Sequence, residues 1–116
     1  MAELAASAAF DQITLSTTGE PTLWISGTIL NGQRIAIKSS GQSSIVGVRI
    51  DANPADLSID VWSATDGDGE NAQIEATITG VGSNTLTLYR GLYYGLSVSG
   101  SAAPSAGNEP QVRYIV

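Results

Sequence analysis

Apolar and polar side chains alternate in short segments along most of this chain. In residues 72–81, for example, Ile74, Ala76 and Ile78 occupy every second position. Successive side chains of a strand point to opposite faces, so this period of two is typical of half-buried β-strands. Turn residues such as Gly, Asn, Asp and Pro separate the segments. The alternating segments span residues 10–16, 22–30, 33–39, 45–51, 56–64, 72–81, 85–90, 93–99 and 111–116.

The turn chemistry favours antiparallel pairing of these strands. Asn31-Gly32 separates two alternating segments, and this dipeptide favours the type I′ turn of a two-residue hairpin. With 116 residues, the chain is long enough for one domain with a real core. The sequence therefore predicts an all-β fold: an antiparallel β-sandwich or small barrel of about eight or nine short strands, with extended terminal segments.

Both ends of the chain depart from the alternating pattern. Residues 1–9 are rich in alanine and predict an N-terminal arm, either loosely ordered or ordered on a neighbouring subunit. Residues 10–100 form the predicted β-sandwich domain. Residues 101–110 contain two prolines and predict a flexible connector to a C-terminal strand at 111–116. That strand could join its own sheet or pair with another subunit.

Composition excludes several kinds of function. The chain has no His and no Cys, and therefore no imidazole base, thiolate nucleophile, Cys/His zinc site or disulfide. Eleven Asp+Glu against five Lys+Arg give a net charge of −6, which disfavours binding to nucleic acid. No segment has the length of a membrane span. Only 14% of residues are charged, so much of the surface must carry neutral side chains.

The densest group of carboxylates lies in one predicted turn. Asp66, Asp68 and Glu70 alternate with glycines, as at the start of a calcium-binding loop. The later positions fail that pattern, because Asn71 stands where glycine is needed and Thr77 where a bidentate Glu is needed. A solvated hairpin tip explains the segment better, with calcium as a weak alternative. An exposed turn also suits a catalytic acid poorly, so we expect no enzymatic activity and no cofactor.

Aromatic residues provide the candidate interface. Trp24 and Trp62 fall out of phase with the aliphatic residues of their strands, as do Tyr89 and Tyr93, and Tyr114 lies in the last strand. Either a neighbouring segment covers these rings or they lie on an outer face. An exposed ring of this size contributes strongly to binding a partner. It could equally stack on a sugar, as in carbohydrate-binding β-sandwiches.

The chain as a whole resembles the capsid decoration, or cement, proteins of tailed bacteriophages. The resemblance rests on the start Met1-Ala-Glu-Leu-Ala-Ala-Ser-Ala-Ala, on short Ser/Thr/Gly-rich strands such as residues 23–30, and on the ending Gln111-Val-Arg-Tyr-Ile-Val116. It implies a β-rich homotrimer that binds between subunits of the major capsid protein. It assigns no role to any single residue.

The resemblance also implies a location and leaves alternatives open. The N-terminus lacks the positive region and long apolar run of a secretory signal, which predicts synthesis in a host cytoplasm before attachment to the capsid surface. A tail, neck or fibre module of a virion is one alternative. A carbohydrate-binding β-sandwich is another, and an Ig-like domain of an adhesin is a third.

Overall fold

In the part of the chain that the structure describes, eight strands form two antiparallel four-stranded sheets, which pack as a sandwich and confirm the all-β prediction. This computed structural model describes residues 12–16, 18–27, 43–89, 91–100 and 103–115. Within those residues, no helix is long and apolar enough to cross a membrane. The strands are β1 (Ile13–Thr14), β2 (Ile25–Ser26), β3 (Ser43–Ala52), β4 (Ile59–Ala64), β5 (Gln73–Ile78), β6 (Gly82–Tyr89), β7 (Tyr93–Val98) and β8 (Gln111–Ile115).

The chain passes repeatedly from one sheet to the other. Sheet A has the strand order β1-β8-β3-β6, and sheet B has the order β2-β7-β4-β5. Among the described strands, only β4 and β5 are consecutive in the chain and pair directly with each other. The outermost of these described strands are β1 and β6 in sheet A, and β2 and β5 in sheet B. The two-residue lengths of β1 and β2 contrast with the eight residues of β6.

The core lies between the inner faces of the two sheets. Alternate residues of the longer strands point inward, as the period of two predicts. Sheet A supplies pairs such as Val48 and Ile50, and sheet B supplies pairs such as Ile59 and Val61. The other core residues are Leu15, Ile78, Leu88, Tyr94, Leu96, Val98, Val112 and Tyr114. Burial of these side chains on both sheets supplies the main driving force for the sandwich.

A β-bulge changes the face on which Ile74 lies. Strict alternation predicts that the Ile74 side chain points toward the core, together with those of Ala76 and Ile78. Instead, the β4–β5 register shifts after Val61, and Ile74 pairs with Trp62 on the outer face. The Ile74 side chain is consequently 50% exposed. One extra residue in a strand moves the following side chains to the opposite face.

The C-terminal strand lies inside sheet A, between β1 and β3. The sequence left open whether this strand pairs within its own sheet or with another subunit, and in this structure it pairs within its own sheet. The described part of the preceding connector, residues 103–110, contains a hydrogen-bonded turn. Asn108 N–H donates to the Ser105 carbonyl at 3.0 Å, and the buried Pro110 accepts a hydrogen bond from Leu15 N–H at 2.9 Å.

Some sequence predictions fall outside the described residues. They include the N-terminal arm at residues 1–9, the Asn31-Gly32 hairpin and the segment 33–39. Of the predicted strand at 22–30, the described part contains β2 at Ile25–Ser26.

Asp51 links three segments across the outer face of sheet A. It lies at a bulge in β3, where the register with β8 shifts between Ile50 and Ala52. Its Oδ2 accepts hydrogen bonds from Gln12 Nε2 at 2.8 Å and from Arg113 Nε at 2.7 Å. Arg49 Nε lies 3.3 Å from its Oδ1.

The same contacts set the protonation of Asp51. The hydrogen bond from Gln12, followed by that from Arg113, holds the pKa of the Asp51 carboxyl below its ordinary value. Arg49 and Arg113 are direct cross-strand partners, and two like charges in that arrangement repel each other. The carboxylate between them offsets that repulsion.

We predict that Asp51→Asn lowers the free energy of unfolding by about 1–2 kcal/mol at neutral pH. The folded pKa is lowered, so the carboxylate stabilises the fold above the unfolded pKa near 4. That contribution is lost as pH falls through the folded value. Urea denaturation at pH 7 and at pH 3 checks this, with the exposed Glu20→Gln as control. An equal loss at both pH values would contradict it.

Two buried tyrosines differ in how their hydroxyls are satisfied. Tyr94 Oη accepts a hydrogen bond from Tyr89 N–H at 2.7 Å. Tyr114 Oη is buried and has no hydrogen-bond partner among the described residues. A cavity of about 20 Å³ borders the Tyr114 ring, but its other lining residues are apolar: Ile13, Leu15, Leu23, Ile25 and Leu96. A water there would lack the two or more polar partners that hold buried waters.

Removal of the Tyr114 hydroxyl and removal of the Tyr94 hydroxyl should therefore change the free energy of unfolding in opposite directions. Tyr114→Phe should raise the free energy of unfolding by about 1 kcal/mol, because an unsatisfied polar group leaves the core. Tyr94→Phe should lower it by about 1 kcal/mol, because Tyr89 N–H loses its acceptor. Equilibrium urea unfolding of both variants measures the difference. A loss for Tyr114→Phe as large as that for Tyr94→Phe would contradict the assignment.

Candidate functional site

Three of the candidate aromatic residues lie together on the outer face of sheet B. Trp62 follows the inward-facing Val61 on β4, and Tyr93 pairs with Ala64 and Ser26 on the same outward side. Trp24 lies just before β2, next to this face. All three side chains are half-buried. We call Trp24, Trp62 and Tyr93 the aromatic face.

The segment that leads to Trp24 packs closely against the backbone of β7 beside the aromatic face. Gly95 is the cross-strand partner of Trp62, and the buried Pro21 lies directly against it. A Cβ on Gly95 would lie 2.6 Å from Pro21 Cβ and 2.9 Å from the Leu23 carbonyl oxygen. Only glycine leaves room for this segment, which continues into Trp24.

Polar side chains hold the middle of the face. Trp62 Nε1 donates a hydrogen bond to Ser97 Oγ at 2.9 Å. Asp60 Oδ1 accepts hydrogen bonds from Thr77 Oγ1 at 2.8 Å and from Ser99 Oγ at 2.5 Å. Asp60 is buried at 9% exposure, and its two hydroxyl donors offset the cost of burying a carboxylate. Hydrogen bonds therefore hold the Trp62 ring and the Asp60 carboxylate in place.

The acidic turn between β4 and β5 is organised by Asp66. Its Oδ1 accepts hydrogen bonds from Asp68 N–H at 2.9 Å and from Glu70 N–H at 3.2 Å. Thr65 N–H donates to the Glu70 carbonyl at 2.9 Å and closes the turn. Gly69 has a φ of +85°, a conformation that favours glycine. The turn therefore has the hairpin-tip geometry that the sequence favoured.

The acidic turn packs on two residues of the aromatic face. A Cβ on Gly69 would lie 2.9 Å from Trp24 Nε1, and a Cβ on Gly67 would lie 3.5 Å from Tyr93 Cε2. The glycines thus let the turn approach both rings. As a result, exposed carboxylates of Asp68 and Glu70 lie on a turn that contacts two aromatic side chains.

The structure places the three residues of the weak calcium alternative, Asp66, Asp68 and Glu70, on one turn. Among the described residues, no three acidic side chains converge as a metal site requires. Asp66 Oδ1 instead faces backbone N–H groups of its own turn. The same carboxylate that would begin a calcium loop is used to shape the hairpin tip.

The other two aromatic candidates lie elsewhere. Tyr89 ends β6 on sheet A and is 50% exposed, so it is separate from the aromatic face. Tyr114 is only 2% exposed, which corrects its selection as an interface residue. It alternates with Val112, so its ring points into the core. Burial also raises the pKa of the Tyr114 hydroxyl well above its ordinary value.

Sequence reasoning missed the small residues that assemble this site. Pro21, Gly67, Gly69 and Gly95 determine how closely the turn and the segment before β2 approach the rings. The Asp-Gly-Asp-Gly pattern did indicate a turn, but nothing in the sequence indicated its contact with Trp24. That contact joins residues far apart in the chain.

No known protein family, curated protein or solved structure matches this chain.

We predict that Gly69→Ala destabilises the fold more than Gly107→Ala. Gly107 has a nearly equal φ of +86°, but a Cβ there meets nothing within 4 Å. Gly107→Ala should therefore cost about 1 kcal/mol from backbone strain alone. Gly69→Ala should cost about 1 kcal/mol more, since Trp24 must move. Urea unfolding measures both losses, and a shift in tryptophan emission should accompany only Gly69→Ala. Equal losses would contradict packing of the turn on Trp24.

Proposed function

We propose that this chain is a structural protein of a bacteriophage virion that decorates the capsid by binding between subunits of the major capsid protein. The observation that carries the proposal is the aromatic face, which combines three half-buried rings with an acidic turn. Such a surface binds by complementarity and needs no reaction. The resemblance of the whole chain to capsid decoration proteins supplies the kind of partner.

The rings offer part of the apolar area that a stable contact needs. A fully buried aromatic side chain removes about 150–250 Å² from water, so a ring that stays about one-quarter exposed retains roughly 40–60 Å². At about 25 cal/mol/Å², each of the three contributes roughly 1–1.5 kcal/mol before the cost of association. The hydrogen bond that Trp62 donates to Ser97 keeps its ring oriented, which lowers that cost.

The remaining outward side chains support a role in assembly. Ser83, Thr85 and Thr87 are exposed on β6 and carry no charge. Hydroxyls cost less to desolvate than charged groups and accept many hydrogen-bond geometries. Furthermore, the carboxylates of Asp60 and Asp66 are engaged with hydroxyl and backbone groups rather than oriented toward a cleft.

Co-sedimentation with purified, undecorated mature capsids tests the proposal. Saturable binding is expected, and Tyr93→Ala should weaken it at least ~10-fold, because an anchoring ring is truncated at a contact. Leu23→Ala is the matched control, since Leu23 is also a large exposed apolar residue but lines the cavity beside Tyr114. Absence of binding would contradict the proposal, and binding to tails or fibres instead would favour a tail, neck or fibre module.

A carbohydrate-binding function is the second candidate. Contact of both Trp24 and Tyr93 with the acidic turn favours it, because stacking rings beside carboxylate acceptors can hold a sugar. A glycan array followed by titration of the bound oligosaccharide tests this candidate. Asp68→Asn should weaken such binding while leaving capsid binding through the rings intact. Failure of the protein to bind any glycan on the array would contradict the carbohydrate-binding function.

A further inference from the structure

The outer face of sheet A carries two arginines side by side. Arg49 on β3 and Arg113 on β8 are direct cross-strand partners, so both side chains leave the same face of the sheet. Both remain accessible to solvent, with 56% of the Arg49 side chain and 42% of the Arg113 side chain exposed. Among the described residues, they are the only basic side chains. We call Arg49 and Arg113 the arginine pair.

The arginine pair shares one carboxylate. Asp51 Oδ2 lies 2.7 Å from Arg113 Nε, and Asp51 Oδ1 lies 3.3 Å from Arg49 Nε. Within the described part of the chain, no other carboxylate forms an ion pair with either arginine. Two positive charges against one negative charge leave one unit of positive charge uncompensated. Because directly opposed like charges repel each other, a second anion beside the pair would lower the electrostatic energy.

The two guanidinium groups also have donors for a second anion. Each guanidinium carries five N–H donors in a planar fork. The contacts with Asp51 are made at Nε, on the side edge of each fork, and this leaves the end edge with Nη1 and Nη2 for another acceptor. Ser83 on β6 is the other cross-strand partner of Arg49, and its exposed hydroxyl adds a donor on the same face.

We propose that the arginine pair binds a carboxylate, whose two oxygens accept hydrogen bonds from the Nη groups of Arg49 and Arg113. A carboxylate carries the single negative charge that this cluster lacks, and its planar pair of oxygens matches the guanidinium fork. A phosphoryl group carries about −1.5 to −2 charges at pH 7 and would leave the cluster negative. Because the chain already has a net charge of −6, that excess is unfavourable.

The exposure of the arginine pair indicates that the carboxylate belongs to an Asp or Glu side chain of a partner protein. Sites for small ligands are usually concave and bury most of the ligand. The arginine pair instead lies on a sheet face with about half of each side chain exposed. A partner protein adds further contacts around its carboxylate, whereas a free acid does not. This inference goes beyond the proposed function, since the aromatic face lies on the other sheet.

Acetate at pH 7 is the probe for an isolated carboxylate, and its use needs no capsid. Titration at constant ionic strength, followed through the Nε–Hε NMR resonances of the arginine pair, should give saturable shifts with a Kd of about 1–100 mM. Chloride, which lacks paired oxygens, is the control anion. Absent shifts, or equal shifts with chloride, would overturn the site. Acetate binding tighter than about 1 mM would overturn the partner side chain as occupant, and tighter binding of inorganic phosphate would overturn the choice of a carboxylate.

Substitutions of Arg49 separate the effect of the guanidinium fork from that of its charge. Arg49→Gln should weaken acetate binding at least ~10-fold, because the uncompensated positive charge disappears. Arg49→Lys keeps the charge but lacks the planar fork, so a loss of about 3–5-fold is expected. Glu20→Gln, at an exposed residue of another segment, is the control and should change the Kd by less than about 2-fold. Unchanged acetate binding by Arg49→Gln would overturn the proposal.

Asp51→Asn should have the opposite effect on anion binding. It leaves both guanidinium groups without a carboxylate, so acetate should bind at least ~3-fold more tightly than to the unmodified chain. Saturating acetate should also raise the urea midpoint of Asp51→Asn more than an equal concentration of chloride does, because the ligand binds the folded state. A purely structural role of Asp51 produces neither effect. Weaker acetate binding by this variant, or equal midpoints in acetate and chloride, would overturn the proposal.

Discussion

Burial of alternate side chains between two sheets is the constraint on which the rest of this structure depends. Each long strand gives one face to the core, and the two faces meet through residues such as Ile50 and Val61. Because the core uses only every second position, the other positions are free to carry Trp62, Arg49 or Thr85 on the outside. The outer surfaces therefore follow from the core, and the functional proposals all concern residues that the core does not need.

Among the described strands, two bulges interrupt that alternation, and each lies beside a distinct feature of the outer surface. In β3, the bulge coincides with Asp51, whose carboxylate lies between the paired Arg49 and Arg113. In the β4–β5 pair, the shifted register exposes Ile74 beside Trp62. A bulge costs little to the ladder but redirects the side chains that follow it. The bulge in the β4–β5 pair thus places the apolar Ile74 on a face where strict alternation would not have put it, whereas Asp51 faces outward as the alternation from Val48 and Ile50 predicts.

The outer faces of the two sheets carry different kinds of side chain. On sheet B, glycines bring the acidic turn and the segment after Pro21 into contact with aromatic rings, which gives a rigid, preorganised face. Rigidity of this kind lowers the entropic cost of binding a partner. On sheet A, Ser83, Thr85 and Thr87 of β6 are exposed and uncharged.

The sequence by itself determined the all-β class and most strand positions, including the segments that contain β4 and β7, because these depend on local alternation and turn chemistry. The hairpin tip at Asp66 was also predictable, since Asp and Gly specify such a turn within a few residues. Only the tertiary structure decided that Ile74 faces outward, that Tyr114 is buried and that β8 lies inside sheet A. It also decided that Trp24 contacts the acidic turn and that β6 lies at the edge of the described strands of sheet A. Each of these depends on register or strand order, which contacts between distant residues select and a periodic pattern cannot specify.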